Sequence, residues 1–407
     1  MTKSFSSFEK ICYQLTLASL FVLAIATFTS VSINALSHIF MVVPGVYFLA
    51  KQLKNRDIKI SASFWSLLAL IIICWASVIA NWGDIDRPLK QIFRTKYYII
   101  GLLGALSYGY LKRDFLSDKN KALLFKLFLI STTVATICGL IGLWTGYTPL
   151  KFKDACHPTR ACGLFGMYMT YGYGISLFCV LMTGIALHRK RFNHLAPNWM
   201  IWAALIINLA GNIFSYARGG WLGFLLAIPF LFFKSHKKMF LTVMAAGALL
   251  LGGLVAFSPK VNEVFLKRQG SNEGRIAFYR AAYAAFTEKP LLGLGFKNFE
   301  PNSKDIKKRH DIPRTHEAGH AHSNVLEHLA STGGLGALAF LLFVFFWLKE
   351  TYDEPILFAF VMSFFISGMT QYTFGDGENV FFIMAIYSLF YPYLPKRQSG
   401  SSEYSAP

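Results

Sequence analysis

Ala62-Ser-Phe-Trp-Ser-Leu-Leu-Ala-Leu-Ile-Ile-Ile-Cys-Trp-Ala-Ser-Val-Ile-Ala80 contains no charged residue. A bilayer core takes about 20 apolar helical residues to cross, so this run is long enough to span one. Backbone polar groups surrounded by lipid must be satisfied within the segment, which makes such a run a helix. Comparable runs recur along the chain, parted by short charged stretches, and strand-like alternation at period 2 is absent, which argues against an outer-membrane barrel. The composition agrees: 407 residues, 54% hydrophobic, 15% charged and 39 phenylalanines, with a mean hydropathy of +0.44.

Working outward gives twelve expected spans, near 12–30, 33–50, 62–80, 97–111, 122–145, 165–187, 199–216, 219–233, 239–257, 331–348, 355–371 and 379–394. The expected fold is therefore an all-α polytopic membrane protein of about 12 transmembrane helices, with one large extramembrane loop containing amphipathic helices. Residues 1–257 would hold helices one to nine, 258–330 the large loop, 331–395 helices ten to twelve, and 396–407 a cytoplasmic tail. No small-residue cleavage site follows the first apolar run, which reads as an uncleaved span rather than a signal peptide. The break near Asn34–Ser37 is the weakest in the pattern, and Tyr216–Gly219 reads as a tight turn.

Orientation follows from Lys and Arg. Lys51, Lys54, Arg56 and Lys59, then Lys112, Arg113, Lys119 and Lys121, then Arg189, Lys190 and Arg191, then Lys234, Lys237 and Lys238, then Lys396 and Arg397 all fall on one side of twelve spans. That side is expected to be the cytoplasm, with both termini there. The formal charge of +19 is thus spread through loops rather than gathered into a patch for nucleic acid. Yet the other side is basic too: Arg87, Lys90, Arg94 and Lys96; Lys151, Lys153 and Arg160; Arg218; and a 258–330 segment with twelve Lys and Arg against eight Asp and Glu. Basic residues there oppose the topology rule and suit a polyanionic ligand such as phosphate. Contact with anionic lipid headgroups is the plainer alternative.

Cys12, Cys74, Cys138 and Cys179 lie in or beside apolar runs and read as packing residues, whereas Cys156 and Cys162 bracket a polar loop and can close a disulfide in an oxidising compartment. In the long segment, Arg275-Ile-Ala-Phe-Tyr-Arg-Ala-Ala-Tyr-Ala-Ala-Phe has helical apolar spacing. It predicts an amphipathic helix over about 275–287 on the membrane surface, preceded by Gly274. Pro290-Leu-Leu-Gly-Leu-Gly-Phe breaks it, and a polar stretch 300–319 follows.

Four histidines crowd 316–328. His316-Glu-Ala-Gly-His320 fits the zinc-protease pattern H-E-x-x-H, which needs a stable helix to put both imidazoles on one face. Pro313 upstream and Gly319 inside argue against that helix. His322 can instead serve as a general base at the membrane surface, or simply pack at the start of the next helix. Arg218, between two spans, needs a cavity or partner unless it snorkels to headgroups. Arg275, at the expected start of the surface helix, either meets phosphate through its planar fork or is solvated.

Arg160-Ala-Cys-Gly-Leu-Phe, Ser215-Tyr-Ala-Arg-Gly-Gly-Trp, Gly274-Arg275 with its aromatic helix, Lys289-Pro-Leu-Leu-Gly-Leu-Gly-Phe, and His320-Ala-His-Ser-Asn-Val-Leu-Glu327 followed by Gly333-Gly334 occur in that order. Together they resemble the O-antigen ligase family, within the wider group of O-antigen polymerases and related bactoprenol-glycan transferases. The resemblance covers about 155–340. Ser323 departs from it, since the family often has Asn directly after the histidine, leaving Ser323 or Asn324 for that role.

The resemblance implies a bacterial inner-membrane enzyme, a glycosyltransferase of lipopolysaccharide biosynthesis, with its large loop and active face in the periplasm. It would move an undecaprenyl-diphosphate-linked O-antigen to a hydroxyl of lipid A–core with inversion, or, as an O-antigen or exopolysaccharide polymerase, to a growing glycan. Its partners would be these two substrates and membrane lipids, not nucleic acid. The donor carries its own activation, so no cofactor and no metal are expected. His322, Arg218 and Arg275 would be catalytic. Arg218 and Arg275, assisted by Arg160, Arg94 and Lys96, would bind the donor diphosphate. His320, Asn324 and Glu327 would be accessory. A transporter would instead need ionisable residues and broken helices at mid-membrane, and these spans hold few charges.

Overall fold

A computed structural model describes residues 6–54, 60–111, 116–234, 236–257, 262 and 269–390. The tail 396–407 and the basic residues Arg56, Lys59, Lys112, Arg113, Lys260, Lys267 and Arg268 lie outside the described residues.

The chain is helical: α1 Ser7–Ala26, α2 Val31–Lys54, α3 Ala62–Ala80, α4 Pro88–Phe93, α5 Lys96–Leu111, α6 Asp118–Thr145, α7 Tyr168–Leu187, α8 Arg189–Phe192, α9 Asn198–Phe214, α10 Arg218–Ala227, α11 Lys237–Phe257, α12 Gln269–Glu288, α13 Phe299–Arg309, α14 Asn324–Thr351, α15 Pro355–Gly368 and α16 Gly377–Leu389. Two short antiparallel strands, β1 Tyr147–Thr148 and β2 Lys153–Asp154, form a hairpin after α6. A helix lies on each of the twelve apolar runs. Among the described residues, six are long and apolar enough to cross a membrane: α1, α2, α3, α6, α7 and α14, while 198–214, 218–231, 355–368 and 377–389 are apolar but shorter.

Polar residues set several starts. Ser6 and Glu9 form a capping box on α1, Ser61 caps α3, Ser117 caps α6 and Ser323 caps α14 through Leu326 N–H. Each cap satisfies an N–H that the helix cannot pair internally. Pro88 and Pro355 occupy first-turn positions, where no backbone donor is needed.

α14 is the organising element. It packs on α3 along one side, on α12 along another and on α15. α10 lies between α15 and α7, and α16 pairs with α5. The loop between α15 and α16 plugs the middle of this bundle. Phe374 stacks on Tyr98 with ring centres 4.6 Å apart, and Phe340, Phe343 and Phe364 close round it. The Tyr98 hydroxyl donates to the Phe374 carbonyl at 2.7 Å.

The 258–330 segment departs from expectation in three places. α12 begins at Gln269, so Gly274 and Arg275 lie inside it rather than at its start. Its alanine stripe, Ala277, Ala281, Ala282 and Ala285, packs with Phe299, Ile306 and Leu294 into a small core of its own. Protein therefore covers the face expected to meet a membrane, leaving Ile276 and Tyr283 exposed. The polar stretch 300–319 contains a helix, α13, whose only buried apolar side chains are Phe299 and Ile306.

The expected division at 330/331 falls inside α14. That helix runs through it and is interrupted at Gly333, whose φ is 68° and ψ −169°. A side chain is strained at that φ, and a Cβ there would collide with the Leu291 carbonyl. The Pro290–Phe296 turn uses this gap. Gly334 N donates to Pro290 O at 2.8 Å, and Leu294 N to Ala330 O at 3.0 Å.

Candidate active site

The turn between α9 and α10 brings Ser215-Tyr-Ala-Arg218 to the end of the bundle that also carries the α15–α16 loop. Tyr216 has φ 51°, which reverses the chain and leaves Arg218 as the first residue of α10. Gly219 follows because a Cβ there would collide with the hydroxyls of Tyr173 and Thr370. Arg218 Nη2 donates to Asn272 Oδ1 on α12 at 3.1 Å, and its charge is coupled to Arg275 and Arg160.

Arg160 reaches this place by a separate route. Cys156 and Cys162 are disulfide-bonded, with Cα atoms 6.3 Å apart. The loop they close docks on the end of α9, Ala161 N donating to Phe214 O at 2.9 Å. Arg160 is buried, its guanidinium 4.1 Å from the centre of the Tyr168 ring. Arg275, one turn along α12 from Asn272, acts electrostatically on the Tyr173 hydroxyl, which lies 3.1 Å from Thr370 Oγ1.

The histidines lie in the turn before α14. His322 has φ 49°, and Ser323 starts the helix behind it. Glu327, buried one turn into α14, accepts the Ala321 N–H at 2.8 Å and the Ser331 hydroxyl at 3.1 Å. Asn324 accepts the Phe374 N–H at 2.9 Å and donates to Thr373 Oγ1 at 3.1 Å. These two side chains thus tie the histidine turn and the α15–α16 loop to one helix end. Ser323 caps the helix and Asn324 docks the α15–α16 loop on it.

The imidazoles of His320 and His322 are 4.3 Å apart at their centres, and the Phe278 ring of α12 lies 5.6 Å from His322. Gln371 contacts both: its Oε1 is 2.8 Å from His322 Nδ1 and its Nε2 is 3.2 Å from His320 Nε2. Burial, aided by His322, Lys297 and Arg275, pushes His320 down to about 3. His322 is also lowered, chiefly by burial and further by Arg275, while Gln371 works the other way. Both imidazoles are therefore neutral where an ordinary histidine is partly charged. His316–His320 is not helical, so the zinc-protease geometry, two imidazoles on one helix face, is not formed there.

The structure brings Arg160, Arg218, Arg275, His320 and His322 to one region. Arg94 and Lys96 face different neighbours: Lys96 lies over Tyr97, and Arg94 acts on Tyr97 and Lys297. Three residues that the sequence did not single out join the site. Gln371 is the first. Lys297, at φ 62°, donates to Gly375 O at 2.9 Å and sits over the Tyr372 ring; burial lowers its pKa, opposed by Glu327 and Asp376. Asp376, raised to about 6 by burial against the pull of Lys297, accepts from Thr170 at 3.2 Å. The one cue to Gln371 and Asp376 was polarity at the ends of apolar runs.

A neutral imidazole within the field of Arg275, which in turn acts on Arg218, can take a proton from a hydroxyl while anionic charge builds on a neighbouring leaving group. A search of curated proteins gave no match to this chain. Residues 203–341 match the family model described as O-antigen ligase, a stretch that holds Arg218, Arg275, the Pro290–Phe296 turn and the His320–Glu327 motif, and the chain thus carries an O-antigen ligase family domain there.

Proposed function

We propose that this chain is an O-antigen ligase of the bacterial inner membrane, acting on the periplasmic side and transferring a glycan from undecaprenyl diphosphate to a hydroxyl of lipid A–core. All twelve apolar helices span, both termini are cytoplasmic and the 258–330 segment is periplasmic, in keeping with the distribution of Lys and Arg. His322 Nε2 takes the proton of the acceptor hydroxyl. The acceptor oxygen attacks the anomeric carbon from the face opposite the diphosphate, so configuration inverts. The bond from that carbon to the diphosphate oxygen breaks, and the electron pair leaves with the diphosphate. Arg218 and Arg275, with Arg160 beside them, meet the developing charge through their planar forks. No metal or nucleotide is needed, since the donor is already a diphosphate ester.

The observation that supports this reading is the packing of His322 on Phe278, with ring centres 5.6 Å apart, one turn along α12 from Arg275, whose charge acts on both His322 and Arg218. The match of 203–341 to the O-antigen ligase family model supports a lipid-linked glycan as the substrate. The test is a strain lacking this chain. Loss of lipopolysaccharide ladders, with polymerised glycan accumulating on the lipid carrier, is the expected result. Ladders shortened to a single repeat would overturn the ligase reading and point to a polymerase using the same donor.

A further inference from the structure

Gln371 is the only described side chain bonded to both histidines of the site. It is 2% exposed and sits at the end of α15, beside Thr370, which meets Tyr173. We propose that Gln371 is a positioning residue that keeps the hydrogen of His322 on Nδ1 and so leaves the Nε2 lone pair for the acceptor hydroxyl. This rests on the proposed role of His322 as the base.

An amide oxygen only accepts, an amide nitrogen only donates, and a neutral imidazole has one nitrogen of each kind. With Oε1 at 2.8 Å from His322 Nδ1, that nitrogen carries the hydrogen. With the amide nitrogen at 3.2 Å from His320 Nε2, that one accepts. His320 Nδ1 also lies 3.1 Å from the His322 backbone N–H, a donor that asks the second nitrogen to accept as well. A neutral His320 cannot meet both. A half-turn of the amide relieves this conflict: His320 then donates from Nε2 to the oxygen and accepts the backbone N–H at Nδ1. The cost falls on His322, whose Nδ1 must now accept, moving its hydrogen to Nε2 and disabling the base. The amide orientation seen here is the base-ready one, and it holds at the expense of one contact to His320.

The charged and titratable groups facing the two rings are Arg275 from α12, Lys297 from the loop before α13, Lys307 from α13 against the Phe278 ring, Glu327 from α14 through the Ala321 N–H, and Tyr372 after α15. None of the hydrogen bonds described here puts one of these groups on His322 Nδ1, which leaves Gln371 to set the tautomer. Glutamate in its place would accept from both rings at once and remove the conflict, while its charge would favour the imidazolium.

The test is nitrogen-15 NMR of histidine-labelled protein in lipid nanodiscs, with His322 assigned by its loss in His322→Ala. It uses no substrate, so it stands or falls apart from the ligase reading. His322 should show Nδ1–H in the wild type and in Gln371→Glu, and a mixture of tautomers in Gln371→Leu. Nε2–H in the wild type, or an unchanged tautomer in Gln371→Leu, would overturn the proposal. In glycan transfer, Gln371→Leu should lose on the order of 10-fold in rate, since only part of the His322 population then keeps the productive tautomer and the ring is no longer held. Gln371→Glu should keep most of the rate with the acid limb of its pH profile moved upward. A rate loss in Gln371→Glu equal to that in Gln371→Leu, with no shift of the limb, would mean a merely structural role.

Discussion

His322 titrates below the ordinary histidine value because burial and Arg275 both disfavour its cation. The neutral base survives as pH falls through 6.5, and is lost only as pH falls through the lowered pKa. Since kcat/KM reports groups of the free enzyme, its acid limb should lie below pH 6.5; a limb at or above that value would contradict the environment described for His322. Arg218 makes a second residue-scale prediction. Arg218→Lys keeps the charge but loses the fork and the Asn272 contact. The transfer rate should fall on the order of 10²-fold with little change in thermal midpoint, measured side by side. Arg160, Arg218, Arg275 and His322 were legible in the sequence because each sits in a short motif or breaks the charge pattern. Gln371, Lys297 and Asp376 were not, because a single polar residue at the end of an apolar run has no periodicity and its partners lie far away in sequence, such as His322 for Gln371.

At the scale of elements, apolar length located a helix on each of the twelve runs but not the short α4 and α8, nor how each helix is used. The sequence placed a boundary at 330, where apolar density begins to rise. The helix instead starts at Asn324 on a serine cap and crosses that boundary with a break at Gly333. The break is a backbone feature, and only the tertiary approach of Pro290–Leu294 explains it. α12 started earlier than expected because Gln269–Glu273 is polar and lacks an apolar stripe; Asn272 and Glu273 are instead engaged by Arg218 and Arg314. α13 escaped notice because two buried apolar residues in eleven make too faint a pattern. Gly333→Ala puts a methyl group into the Leu291 carbonyl at a φ that disfavours it. It should cost at least about 1–3 kcal/mol, read as a lowered thermal midpoint in detergent. Because the Pro290–Phe296 turn leads into Lys297, transfer activity should fall with it. An unchanged midpoint would mean that the turn does not depend on this gap.

The whole molecule joins a membrane bundle to a folded segment whose core is separate from the bundle's. The site lies where they meet: Arg218, His322 and Gln371 come from the bundle's helix ends, and Arg275 from the folded segment. The proposed orientation puts that end in the periplasm, and a side-specific label tests it. A cysteine replacing exposed Lys304 should react with a membrane-impermeant maleimide in intact spheroplasts, and one replacing Lys190 only after lysis. The reverse pattern would overturn the orientation. The most direct test of the central claim uses purified chain in proteoliposomes, with undecaprenyl-diphosphate-linked glycan, lipid A–core and a chelator, following the glycan-bearing acceptor on a gel. The account expects product from the wild type and none above background from His322→Ala. Product from His322→Ala at the wild-type rate, or a lengthened lipid-linked glycan with no modified acceptor, would contradict it.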